Sequence, residues 1–181
     1  DGQGLDAQLK ALAAAAMVFA SDSAASGDVG ALAGVESTAG VLHAAGAGDK
    51  GVLIELEAGR MEWMSSSKAV GACHVHEAAS ATPLEARILY SSVGSGLANV
   101  GQGNYAVSNA WLDAHALSRR LHGVAACSLQ WPLVGGAGMG ASAFSMIAER
   151  QVTAVGTAGI LLDEYAACLG QQISACLAVA T

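Results

Sequence analysis

Ser92, Tyr105, Asn109 and Lys68 are the residues whose types and spacing suit proton transfer. Tyr105 and Asn109 lie four positions apart, so on a helix they stand one above the other toward one cleft. Ser92 closes an apolar run that reads as a strand, so it can converge with the other three above the sheet. A phenol titrates near pH ~10 when unperturbed, so it works near neutrality only beside a cation that stabilises phenolate. Lys68 is the candidate cation. Taken singly, each residue has an ordinary structural explanation, since strand-end serines form turns, tyrosines pack and helix lysines are solvated. Their conjunction points to chemistry.

The elements that must hold these groups alternate. Residues 5–16 have helix composition and run into a short apolar stretch, 17–21, that reads as a strand. A loop over 22–27 follows, then a short helix to about Gly34 with Asp28 as its N-cap. Gly40-Val-Leu-His43 is a second strand that ends in Ala44, Ala45 and Gly46. From Glu55 to Ser80 apolar residues recur at helical spacing, with a break expected early. Residues 86–92 form a third strand, 93–103 a glycine-rich loop, 104–122 a helix and 124–131 a fourth strand stopped by Pro132. Helices are expected again over 143–151 and 160–178. Such an order implies a parallel sheet with helices on its faces, and ligands beyond the carboxyl ends of the strands. The turns after His43, Ser91 and Trp131 should therefore share one edge.

Composition narrows the function. Fifteen acidic and eight basic side chains give a net charge of −7 with no basic run, which argues against a nucleic-acid partner. The longest apolar stretch, 11–20, is too short for a bilayer span, and no secretory signal opens the chain. An intracellular location, cytoplasmic or organellar and not secreted, is expected. The sequence starts Asp-Gly-Gln-Gly without Met, as a mature form, a trimmed form or a piece of something longer does. Cys73, Cys127, Cys168 and Cys176 lack metal-site or C-x-x-C spacing, so buried free thiols are expected and no metal. His74 and His76 would face different directions on a helix. Trp131 reads as a core anchor, and Arg119 with Arg120 as a solvated helix end.

The stretches GVLHAAGAGDKGVL (40–53), SSSKAVGACHVHE (65–77), ILYSSVGSGLANVGQGNYAVSNAWLDA (88–114) and CSLQWPLVGGAGMG (127–140) closely resemble ketoreductase domains of modular polyketide synthases. Those domains belong to the short-chain dehydrogenase/reductase superfamily. The resemblance implies that Tyr105 donates the proton and that Ser92 bonds the substrate carbonyl. Lys68 and Asn109 match a lysine and an asparagine that exchange places relative to the superfamily's usual Y-x-x-x-K. It further implies that His43, Ala44, Ala45 and Gly46 line an NADPH cofactor, that Asp22 approaches its adenine, and that Pro132 borders its nicotinamide. The implied reaction is reduction of a β-ketoacyl thioester on an acyl carrier protein to the β-hydroxy form.

The family's glycine-rich phosphate turn has no counterpart here. Gly2-Gly4-Ala7, Gly101-Gly103-Ala106 and Gly136-Gly138-Ala141 fit G-x-G-x-x-A formally but lack the strand and the acidic partner that the mechanism needs. The expected fold is thus a partial Rossmann-like α/β domain over 1–181, with the first strands and the cofactor-phosphate half absent. Gly48-Asp49-Lys50 stands at the family's L-D-D position, and Leu97 stands eight before Tyr105 where another class carries Trp, so the alcohol's hand stays open. Two functions follow. One is the catalytic half of an NADPH-dependent ketoreductase; the other is a non-catalytic ketoreductase-derived subunit that docks its incomplete sheet edge into a larger assembly.

Overall fold

A computed structural model describes residues 19–33, 38–49, 51–97, 100–136 and 159–179. The expected helices over 5–16 and 143–151 lie outside these residues, as do Met17, Val18 and the side chain of Cys176. Three strands form one parallel sheet: β1 (Gly40–His43), β2 (Ala86–Ser92) and β3 (Cys127–Trp131), in the order β1-β2-β3. His43 pairs with Leu89, and Ser92 with Trp131, so the three strands run the same way and their carboxyl ends share an edge. The turns expected to lie together do so.

β2 is the middle strand, and its sequence explains why. Ala86, Ile88 and Leu89 are all buried, so apolar side chains point to both faces, as a sheet covered on both sides requires. On one face Leu89 packs with Ala72, Leu112 and Ala116. Those partners come from two helices, α3 (Gly71–Ala78) and α5 (Gly103–Leu121). On the other face Tyr90 and Trp131 meet Tyr165 of α6 (Leu162–Val179), with the Trp131 and Tyr165 rings 4.5 Å apart. Trp131 is therefore part of the packing between the sheet and α6.

Helix α5 positions most of the site. Asn104, Ser108, Leu112 and Ala116 follow one another every four residues and are all buried, which puts them in one row along the helix. The first half of that row is polar and the second apolar. The apolar half packs on β2; the polar half needs partners of its own. At its far end α5 stops at Gly123, whose φ of +76° is open to glycine at little cost. There Val124 N–H bonds Arg119 O and Gly123 N–H bonds Arg120 O, closing the last turn.

Several sequence expectations are corrected. Residues 19–21 are described and are not strand. Helix α1 (Ser26–Ala33) starts two residues before Asp28, so Asp28 sits in the first turn and its carboxylate accepts the Asp22 N–H at 2.8 Å. The 55–80 helix is divided. A 3-10 turn (Leu53–Glu55) comes first, then α2 (Ala58–Ser65), a π-turn (Ser66–Val70) and α3. The 93–103 loop contains a one-turn helix, α4 (Gly94–Leu97), and the strand expected from Val124 begins at Cys127. Cys73 and Cys127 are only half-buried, and Cys168 is exposed. Among the described residues no His, Cys, Asp and Glu group suits a metal, and no helix is long and apolar enough to cross a membrane. His74 and His76 do part company: His74 Nδ1 donates to Ser23 O, while His76 Nε2 accepts from Arg119.

Candidate active site

The π-turn between α2 and α3 carries Lys68. Wide turns of this kind arise where a helix must swell to present a group, and they recur at functional sites. Two remote side chains hold this one open: Ser23 Oγ donates to Ser67 O, and His43 Nε2 donates to Lys68 O, both at 3.2 Å. Burial, together with the nearby Lys68 charge, pushes the His43 imidazole below its ordinary pKa against the pull of the two backbone oxygens. A neutral ring with its proton on Nε2 fits that bond. The His43 side chain is thus engaged in the backbone beneath Lys68, whereas Ala44 and Gly46 beyond it are exposed and Ala45 half-buried.

Lys68 itself is 4% exposed, with Nζ donating to Tyr90 O at 3.1 Å and standing 5.6 Å from the centroid of the Tyr105 ring. Loss of hydration lowers its pKa from 10.5 to about 8, partly offset by the negative charge of Asp113. The ammonium named from sequence therefore stands over the face of the Tyr105 ring. Gly46 makes room for Lys68: a Cβ there would lie 2.9 Å from Lys68 Cε and 3.2 Å from Nζ. Gly46→Ala is expected to push the end of Lys68 aside and lower turnover on the order of tenfold, with a melting midpoint near that of the parent. Equal turnover in both proteins contradicts this.

Asn109 is fully buried one turn after Tyr105. Its Nδ2 donates to Tyr105 O at 2.8 Å, and its Oδ1 is buried without a protein partner. Ser92 ends β2 at the same sheet edge, and its Oγ accepts the Gly94 N–H at 3.1 Å, which starts α4. Ser91, its buried neighbour, donates to Asn109 O and ties the strand end to α5. Asp22 is exposed ahead of α1, its carboxylate accepting the Ala24 N–H, and the adjoining Ser23 lies on the π-turn. Pro132 follows β3 and lines a cleft of about 650 Å³ with Asp113, Arg120, Trp131 and Glu164. Neither Lys68 nor Tyr105 lines that cleft.

Two carboxylates near the site have no supporting role in the sequence reading, where Asp49 figures only in the altered L-D-D fingerprint and Asp113 not at all. Asp113 accepts from Ser95 Oγ, Ser128 Oγ and Gln130 Nε2, joining α4, β3 and α5. Burial alone would raise its pKa, but these donors outweigh burial and hold it below the ordinary carboxylate value. Asp49 accepts from Arg60 and from Nδ2 of Asn104, the residue before Tyr105. The available signal was a charge beside the buried Leu112 in one case, and an amide beside the key tyrosine in the other.

A parallel sheet flanked by helices, with a buried lysine beside the tyrosine of the helix that packs on it, belongs to the Rossmann-like α/β class. Within it, the chain belongs to the KR domain family, whose model matches residues 3–136. It is 41% identical over 127 residues to polyketide synthase GfsA of Streptomyces halstedii, covering 70% of this chain and 2% of that protein. It is 36% identical over 139 residues to the spectinabilin polyketide synthase system protein NorB of Streptomyces orinoci, covering 77% and 6%. Among solved structures, an A-type ketoreductase from a modular polyketide synthase superposes with a TM-score of 0.82 at 27% identity, over 95% of this chain and 37% of that one. The first ketoreductase of the tylosin synthase gives 0.69 at 34% identity, over 78% and 32%. The chain thus spans a few per cent of the curated relatives and about a third of these structures.

Proposed function

We propose that this chain is the catalytic portion of a ketoreductase that reduces a β-ketoacyl thioester, carried on an acyl carrier protein, with NADPH. The observation that carries the reading is the buried Lys68 ammonium set against the Tyr105 ring. Tyr105 gives its hydroxyl proton to the oxygen of the carbonyl as that oxygen gains negative charge, and Lys68 stabilises the phenolate left behind. Ser92 bonds the same oxygen and orients it. Asn109 keeps α5 in register through Tyr105 O, and its free Oδ1 can take a donor such as water.

The residues present suit the reacting end of a nicotinamide dinucleotide. Ala44, Ala45 and Gly46 form a small-residue stretch above Lys68, the Gly46 position being one that a Cβ would crowd, and Pro132 follows the neighbouring strand end. When bound, that cofactor supplies the hydride. Its phosphates need a glycine-rich turn, and none occurs among the described residues. We therefore take 1–181 as one ketoreductase-like unit whose phosphate-binding half comes from other sequence of the same polypeptide or from a second chain. The length of the relatives supports a larger assembly as the setting.

The test is NADPH oxidation by the polypeptide carrying this chain, with a β-ketoacyl thioester as substrate. Thioester-dependent oxidation that Tyr105→Phe removes is expected. Oxidation no faster than background would falsify the proposal.

A further inference from the structure

We propose that Asp49 is a positioning residue for Tyr105, acting through the carboxamide of Asn104. The inference rests on the reading of Tyr105 as proton donor. Asp49 lies in the segment after β1, with its side chain 15% exposed. Arg60 of α2 clasps it, Nε donating to Oδ2 at 3.1 Å and the second guanidinium nitrogen to Oδ1. The Asn104 Nδ2 donates to the same Oδ2 at 2.6 Å.

A carboxylate only accepts hydrogen bonds, so it dictates which end of the Asn104 amide faces it. The NH2 group must point to Asp49 and the oxygen must point away. That oxygen accepts the backbone N–H of Tyr105 at 2.9 Å. Tyr105 is in the first turn of α5, where backbone N–H groups have no helical acceptor. Asn104 is 1% exposed, so a turned amide would leave buried groups unmatched. The charge on Asp49 thereby fixes the first turn of the helix that aims the phenol.

A second link holds the same two segments. Gly51 N–H bonds Gly101 O at 2.9 Å, joining the segment after β1 to the turn before α5. A Cβ on Gly51 would lie 2.9 Å from an Arg60 guanidinium nitrogen, so glycine there leaves the space through which Arg60 reaches Asp49. Lys68 is held from a different direction, by the π-turn and Tyr90 O. The phenol and the ammonium thus have independent anchors, and loosening the Asp49 anchor changes their separation.

Charge exchange tests this in the polypeptide carrying the chain. Asn104→Asp opposes two carboxylates, and Asp49→Leu removes the acceptor. Each is expected to lower kcat on the order of 10- to 10²-fold with the ketone KM changed less than about threefold. Asp49→Asn combined with Asn104→Asp restores an amide facing a carboxylate, with the Tyr105 N–H still accepted and the second Arg60 guanidinium nitrogen still donating to the amide oxygen, while the Arg60 Nε bond is given up. It is expected to recover kcat to within about threefold. In protein labelled with 13C-tyrosine, the Tyr105 ring resonance should move in the single variants and return in the double. An unmoved resonance and kcat in folded Asn104→Asp, or a double variant no better than the singles, overturns the proposal. If no variant and no parent reduces a ketone while the resonance still follows the exchange, the positioning stands and the reductase reading falls.

Discussion

Replacing Tyr105 by Phe is expected to lower kcat for ketone reduction on the order of 10²–10⁴-fold, with little change in folding or in cofactor affinity. The substitution removes one oxygen and its proton. It leaves the backbone N–H of residue 105 on Asn104 Oδ1 and the backbone O on Asn109 Nδ2, so the start of α5 keeps its hydrogen bonds. The ring keeps its face toward Lys68 at the same 5.6 Å, an attraction worth about 0.5–2 kcal/mol that needs no hydroxyl. A phenylalanine therefore fits the site without strain, and the lost rate reports proton transfer rather than a collapsed helix. Stopped-flow or steady-state NADPH oxidation, paired with a melting curve, checks it. A variant that retains more than about a tenth of the parent rate assigns the proton to another group.

The sequence was most legible where local and tertiary preferences agree. Ala86–Ser92 was bounded to the residue because an apolar run buried on both faces ends where polar serines meet the site edge. Helix α5 was placed within a residue at each end, since its every-fourth row and the glycine after it act together. The π-turn was not legible. Nothing in Ser-Ser-Lys-Ala-Val marks a wide turn; it exists because Ser23, 44 positions away, and His43, 25 positions away, satisfy its carbonyls. α4 was missed for a related reason. Gly94-Ser-Gly-Leu97 has poor helix propensity, and its turn hangs on Val93, whose own N–H is bonded to Trp131 O.

The candidate site divides in the same way. Type and spacing single out Lys68 and Tyr105, and the structure sets the Lys68 ammonium 5.6 Å from the Tyr105 ring centroid. Type and spacing do not single out their supports. Asp49 drew notice only as part of an altered fingerprint, and its bond to Asn104 spans 55 positions with no periodicity to announce it. For His43 the sequence holds no sign of the bond its ring makes: the residue is 5% exposed and engages the Lys68 carbonyl. A side chain that holds another side chain in place carries no signature of its own.

Lys68→Met is expected to lower turnover on the order of 10²–10³-fold and, relative to the parent, to change stability in a pH-dependent way. The sign follows from its protonation. In the folded chain Lys68 titrates at about 8, whereas the unhindered value is 10.5. Below pH 8 both folded and unfolded chains carry the ammonium, and the fold bears the full cost of having buried it. Between 8 and 10.5 the unfolded chain binds more protons, so parent stability rises with pH from this group. From pH 8 to 10 the rise amounts to about 2–3 kcal/mol, taking roughly 1.4 kcal/mol for each pH unit. Methionine has nearly the same length and no charge to bury, so the variant lacks that slope. Its stability advantage over the parent should shrink by about 2–3 kcal/mol across the same range. Parent turnover should fall above pH 8 as the ammonium that stabilises phenolate is lost, while the slow variant stays level. Urea unfolding of both proteins at pH 7, 8, 9 and 10, beside their rate profiles, measures the two effects. Parallel stability curves would mean that Lys68 is hydrated in solution, and then the phenol has no buried cation to draw on.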